Sequence, residues 1–192
     1  MLRNAARQLG QALRPIRPGI MALTTSKYTG FLGMALRVSS PAFGEGEPIP
    51  VRYTGDGQGM APPLRWEGLP ARTMSVVLLV EDADLPWLEP GVHLIVHSIP
   101  PDLTELAEGA IPARLVGRAP EGYACGRNLL ARPGWIGPTP PPGHGKHHYA
   151  FQVFALDAKP AFPYPPGRSL LLRTMRPHLL AQGRLIGTYE RL

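Results

Sequence analysis

From about Ala35 onward the chain alternates short apolar runs with clusters of glycine and proline, the runs falling at 34–38, 51–53, 74–80, 92–96, 150–156 and 184–189. Runs of this length broken by turn residues predict an all-β sandwich or barrel. The segments 74–80 and 151–156 are apolar on both faces, which predicts central strands covered on both sides. In 91–100, strict alternation places His93, Ile95 and His97 on one face and Val92, Leu94 and Val96 on the other, with the second set facing the core. Leu171, Leu172, Met175, Leu179 and Leu180 repeat at helical spacing and predict a last helix near 168–182, interrupted at Pro177, which has no N–H to give.

The first residues follow a different period. Leu2, Ala5, Ala6, Leu9, Leu13 and Ile16 recur at helical spacing, with Arg3, Arg7 and Arg14 mostly elsewhere on the wheel. This predicts a short cationic amphipathic helix that ends before Pro18, followed by a poorly ordered connector over 19–33. Residues 1–36 therefore form a basic extension and residues 37–192 the domain proper. Two readings of the helix stand side by side. It packs on its own domain or a partner subunit or is a disordered tail, or it lies on an anionic membrane or acts as a targeting peptide, which leaves room for peripheral membrane contact through residues 1–20.

Composition narrows the partners. The 192 residues carry a formal charge of +6, but residues 1–37 hold Arg3, Arg7, Arg14, Arg17, Lys27 and Arg37 and no acid, and the charges of the remainder cancel. A basic surface across the domain, and with it nucleic-acid binding, loses its support. The single cysteine, Cys125, has no partner for an internal disulfide. No apolar stretch reaches spanning length and no signal-peptide core is present, so a cytoplasmic protein is expected.

Candidate chemistry concentrates in a few segments. Residues 137–149 read Gly-Pro-Thr-Pro-Pro-Pro-Gly-His-Gly-Lys-His-His-Tyr and lead into an apolar strand. The prolines impose a stiff loop, and strand alternation puts His147 and Tyr149 on one face with His148 opposite. Asp82 and Asp84, two apart after a buried strand, share one side of an extended backbone or form a solvated turn closed by Pro86. His93 and His97 on one face suggest a metal pair, with Asp82, His147 or His148 as third ligand, but nothing in the spacing specifies zinc and no metal is assigned. The nucleophile elbow, the metalloprotease helix and the phosphate-binding glycine loop are absent, so neither a catalytic residue nor a cofactor is nominated.

Taken in order, Ser39 to Phe43, Ala61-Pro62-Pro63-Leu64-Arg65-Trp66, Glu81-Asp82-Ala83-Asp84-Leu85-Pro86, His93, Ser98-Ile99-Pro100, Gly126-Arg127-Asn128, Gly134-Trp135-Ile136-Gly137-Pro138 with the proline loop, and Gly187-Thr188-Tyr189 resemble the phosphatidylethanolamine-binding, or Raf-kinase-inhibitor-like, family, particularly its bacterial and archaeal branch. The resemblance runs from about Val38 to the C-terminus. It implies an antiparallel β-sandwich with a few short peripheral helices and a pocket at one end for phosphate-like anions or phospholipid head groups. The polar groups of that pocket fall here on Asp82, His93, His147 and Tyr149, with Pro140 and Pro141 as rim and Asp84 in support. Ala83, Leu85, Leu94 and Thr139 depart from the family pattern and alter the apolar walls. The expected function is non-catalytic binding of a small anion, phosphorylated metabolite or phospholipid head group; the alternative is a protein-interaction module that inhibits a kinase or protease. A protein partner and a homodimer both remain open.

Overall fold

A computed structural model describes residues 2–28 and 35–192. In chain order its strands are β1 (Arg37–Ser39), β2 (Leu64–Glu67), β3 (Ser75–Asp82), β4 (Gly91–Ile99), β5 (Glu105–Leu106), β6 (Ala124–Cys125), β7 (His147–Leu156) and β8 (Leu179–Tyr189). They form a small sheet in the order β1-β2-β5 and a large one in the order β6-β4-β3-β7-β8, with antiparallel neighbours throughout. The helices α1 (Leu2–Leu13), α2 (Thr24–Tyr28) and α3 (Arg168–Met175) are short.

The two doubly apolar runs are central strands, as their composition demands. Every residue of β3 is buried, and β7 beside it is buried apart from His148. Val76, Leu78, Val80, Phe151 and Val153 pack toward Val38, Leu64 and Trp66 of the small sheet. On the opposite face Val77, Leu79, Phe154 and Leu156 meet Leu171 and Met175 of α3. Burying large side chains on both faces stabilises the sheet by about 1.5–3 kcal/mol for each fully buried aliphatic.

Three expectations require correction. The apolar triplet 51–53 is a 3-10 turn closed by Tyr53 N–H donating to the Pro50 carbonyl at 2.9 Å, not a strand. The last helix stops at Met175, a 3-10 turn carries Pro177, and β8 begins at Leu179. Leu179 and Leu180 fit a helical period, yet they pack into opposite clusters, as successive residues of a strand must. Strict alternation also fails in β4. Val80 pairs with Leu94 and Glu81 with Val92, so His93 is an inserted residue, a β-bulge. His93 therefore joins the Leu94 face, against Tyr149 and Trp135, while Val92 moves to the cluster of Ile95. A second register shift between Val76 and Leu78 accompanies Ser98 at a φ of 59°. His97 contacts Phe162 on the opposite face, so the proposed histidine pair does not exist.

The basic extension is packed on the domain. Leu23 is 0% exposed and joins Ala83, Ala150 and Ile186 in a cluster of its own. Beside it Glu81 accepts from Thr24 N–H at 2.9 Å, from the Thr24 hydroxyl at 3.1 Å and from Gln152 Nε2 at 2.7 Å, and pairs with Arg168 Nε at 2.6 Å. Residues 20–28 of the expected loose connector are thus ordered against β3 and β7, while 29–34 lie outside the described residues. α1 docks on the proline loop through Gly10, where any Cβ would overlap the Pro142 carbonyl, whereas Leu9 of its apolar stripe is 62% exposed. Among the described residues no helix is long and apolar enough to cross a membrane.

Candidate functional site

The strand ends that meet at one edge of the large sheet build a cavity. Asp82 closes β3, and its partner across the ladder is Tyr149 on β7 and Gly91 on β4. The bulge turns His93 onto the same face, its ring edge-on to Tyr149 with centroids 5.1 Å apart. Loop residues Leu85, Leu129, Leu130, Ile136, Gly137, Thr139 and Pro140 complete a cavity of about 320 Å³ lined also by Asp82, His93 and Tyr149. That size sits at the lower end of ligand sites, which run from roughly 300 to 1,000 Å³.

Asp82 and His93 are each fixed from behind. Asp82, 1% exposed, accepts from the Asp84 N–H at 2.8 Å and from His147 Nδ1 at 2.8 Å. Burial alone would raise its pKa, but the hydrogen bond from His147, the two histidines that face it and the Asp84 N–H outweigh it and hold the carboxyl below its ordinary range. His93 Nδ1 donates to the Ile136 carbonyl at 2.8 Å, which leaves Nε2 toward the cavity, 4.0 Å from Asp82 Oδ2. Burial depresses the His93 pKa despite the opposing effect of Asp82, so its neutral form is favoured and Nε2 offers a lone pair. The Tyr149 hydroxyl is buried and makes no hydrogen bond of good geometry, although Asp82 is close enough to draw weakly on its proton. Burial first, and Asp82 second, raise the phenol, which stays protonated as an unused donor. Among the described residues the cavity lining contains no lysine or arginine.

The residues expected from the sequence separate into two shells. Asp82, His93, Tyr149 and Pro140 line the cavity. His147 does not: it is 0% exposed and stands behind Asp82, its other ring nitrogen 2.7 Å from His144 Nδ1. Asp84 likewise faces away, holding Arg17 at 3.1 Å and His148 Nδ1 at 2.7 Å, and Pro141 is not part of the lining. Sequence reasoning missed His144, Trp135 behind His93, and the apolar rim of Leu129 and Leu130, which are 43% and 53% exposed. Of these His144 carried a signal, a histidine between two glycines in a stiff loop, and Trp135 stood within the Gly-Trp-Ile-Gly-Pro run of the family resemblance. Among the described residues no three His, Cys, Asp or Glu side chains are arranged to hold a metal.

The family model described as phosphatidylethanolamine-binding protein matches residues 39–190. A UPF0098 protein of Pyrococcus horikoshii is 42% identical over 93% of this chain and 91% of its own length. A UPF0098 protein of Aquifex aeolicus is 39% identical over 83% and 91%. Among solved structures, a putative phosphatidylethanolamine-binding protein homolog of Chlamydia trachomatis superposes with a TM-score of 0.72 at 34% identity, covering 82% of this chain and 99% of that one. Escherichia coli YbcL, described as a new member of the mammalian family, gives 0.76 at 28% identity over 83% and 100%.

Proposed function

The chain belongs to the phosphatidylethanolamine-binding protein family, and from that premise we propose that its cavity binds, without catalysis, a small oxyanion that arrives with a proton: phosphate, a phosphorylated metabolite or a phospholipid head group. The observation that carries this reading is the Tyr149 hydroxyl, buried without a hydrogen-bond partner in the cavity that His93 also lines. A buried donor without an acceptor costs about 1–3 kcal/mol, which an incoming oxygen would recover. A dianion alone would meet Asp82 with no lysine or arginine to offset it. Binding therefore needs a proton, either on His93 Nε2 or on the ligand, and an acidic P–OH would donate to that lone pair.

Neither the Thr139 hydroxyl nor the Cys125 thiol is available to attack a ligand, which supports the non-catalytic reading. The Thr139 hydroxyl donates to the Gly137 carbonyl at 3.0 Å, and Cys125 is buried, its thiol pushed up to about 12 by burial. Calorimetry of phosphoethanolamine binding in two buffers of different ionisation enthalpy tests the proposal. Proton uptake of up to one per ligand near neutral pH is expected, with affinity falling as pH rises. Binding that is indifferent to pH and unchanged in both His93→Gln and Tyr149→Phe would remove the proposal.

A further inference from the structure

Behind the cavity, Asp82, His147, His144 and the last carbonyl of α1 form an unbroken line. His147 Nδ1 lies 2.8 Å from Asp82 Oδ2, His147 Nε2 lies 2.7 Å from His144 Nδ1, and His144 Nε2 lies 3.0 Å from the Leu13 carbonyl. Both histidines are 0% exposed. A carbonyl oxygen can only accept, so His144 Nε2 must carry a hydrogen. The contact between the two rings needs one hydrogen, because two facing lone pairs repel. The contact to Asp82 needs another. The line therefore holds three protons: two neutral imidazoles supply two of them, and the third makes the rings a cation opposite the Asp82 carboxylate. Moving that proton onto Asp82 and switching the His147 tautomer keeps every contact and the same total of zero charge.

We propose that His144 is a positioning residue of the cavity, holding with His147 one shared proton between Asp82 and the Leu13 carbonyl, so that docking of α1 sets the charge on the cavity floor. The seat of α1 is built for this. Arg14 Nε donates to the Gly143 carbonyl at 2.8 Å, and Arg17 donates to the carbonyls of His144 at 2.6 Å and Lys146 at 3.0 Å. Gly143, at a φ of 76°, leaves no room for a Cβ beside the Arg7 carbonyl. The carbonyl end of a helix carries partial negative charge, which favours an imidazolium at its tip. The groups facing the pair are Asp82 at the end of β3, Asp84 in the turn after it, Arg17 from the extension, His93 on β4 and Tyr149 stacked on His147 at 6.3 Å. Burial, against the help of the Leu13 carbonyl, lowers the His144 pKa. The proton count rests on hydrogen-bond geometry; its effect on binding rests on the oxyanion reading above.

Nitrogen NMR of the histidine rings in the full chain tests the inference without any ligand. At neutral pH the wild type is expected to show a strongly downfield bridging proton between His144 and His147. His144→Gln removes the bridge and moves both His147 ring nitrogens. Gly10→Ala, which forces α1 off Pro142, moves the same signals without altering either histidine; if that variant does not fold, Arg14→Gln serves instead. Inorganic phosphate should then bind about five- to tenfold more weakly to each variant, the range of ordinary coupling between sites. Two neutral rings without a bridge in the wild type, or an unmoved His147 in His144→Gln, overturns the shared proton. An unmoved His147 when α1 is displaced overturns the role of the helix. Intact ring signals in a protein that fails to bind phosphate would instead count against the oxyanion reading.

Discussion

Leu23 lies in a segment outside the matched family region, yet it is 0% exposed and seated on Ala83, Ala150 and Ile186. Replacing it with alanine removes a buried branched side chain from a site that cannot collapse easily, because the backbone on both sides is pinned. Thr24 and Thr25 are tied to Glu81 and Gln152, and the Gly19 N–H donates to the Ala83 carbonyl at 2.8 Å. Lost transfer energy and the residual cavity together give about 2–5 kcal/mol for such a substitution. In a protein of this size, each kcal/mol corresponds to roughly 2–4 °C in Tm, so a cost of about 3 kcal/mol lowers Tm by about 6–12 °C. Urea denaturation followed by tryptophan fluorescence measures it, with Leu79→Ala in the centre of β3 as a reference. Comparable losses are expected. If Leu23→Ala costs under about 0.5 kcal/mol, as surface substitutions do, residues 20–28 are an appendage and the packing argument is wrong.

Other outcomes follow from buried polar groups. Glu81→Met leaves Thr24 and the Gln152 amide without their acceptor and Arg168 with Glu89 in place of two carboxylates, and is expected to cost about 3–5 kcal/mol in the same assay; a loss below about 1 kcal/mol would contradict the network. His97 is buried against Phe162, and burial lowers its pKa from 6.5 to about 4. Between these values the unfolded chain binds a proton that the folded one refuses, so stability is fully present above pH 6.5 and declines as pH falls toward 4, by up to about 3 kcal/mol. His97→Phe should flatten the stability profile in that window, and an unchanged slope refutes the assignment. Tyr149→Phe leaves the fold intact and weakens phosphate binding about tenfold, the scale of one lost hydrogen bond, as read by calorimetry; equal affinity would mean that the hydroxyl does not touch the ligand.

Much of this architecture is legible in the chain because burial on both faces leaves a plain mark. The continuous apolar runs of β3 and β7 could be little else than central strands, and period-2 alternation placed His147 and Tyr149 on one face before any coordinates. The same rule misplaced His93. A bulge inserts one residue without changing composition, so 91–99 reads as an uninterrupted strand while the backbone shifts register at His93. The helical period over 168–182 misled for a related reason. Leucines spaced three and four apart satisfy a helix and also, after Pro177, two faces of a strand. The packed part of the extension carries little periodicity because its apolar contribution to the cluster comes from just Ile20 and Leu23, with polar ties from Thr24 and Thr25 beside them. The relay from Asp82 through His147 to His144 and Leu13 joins residues more than a hundred positions apart, which no local pattern encodes.

The most direct test of the binding site is the electron density of crystals grown with phosphoethanolamine. The account predicts a phosphoryl group in the cavity with one oxygen within hydrogen-bonding distance of the Tyr149 hydroxyl and another at His93 Nε2, and with His147 still enclosed behind Asp82. A ligand bound elsewhere, or one that contacts His147 while leaving Tyr149 and His93 untouched, would contradict it.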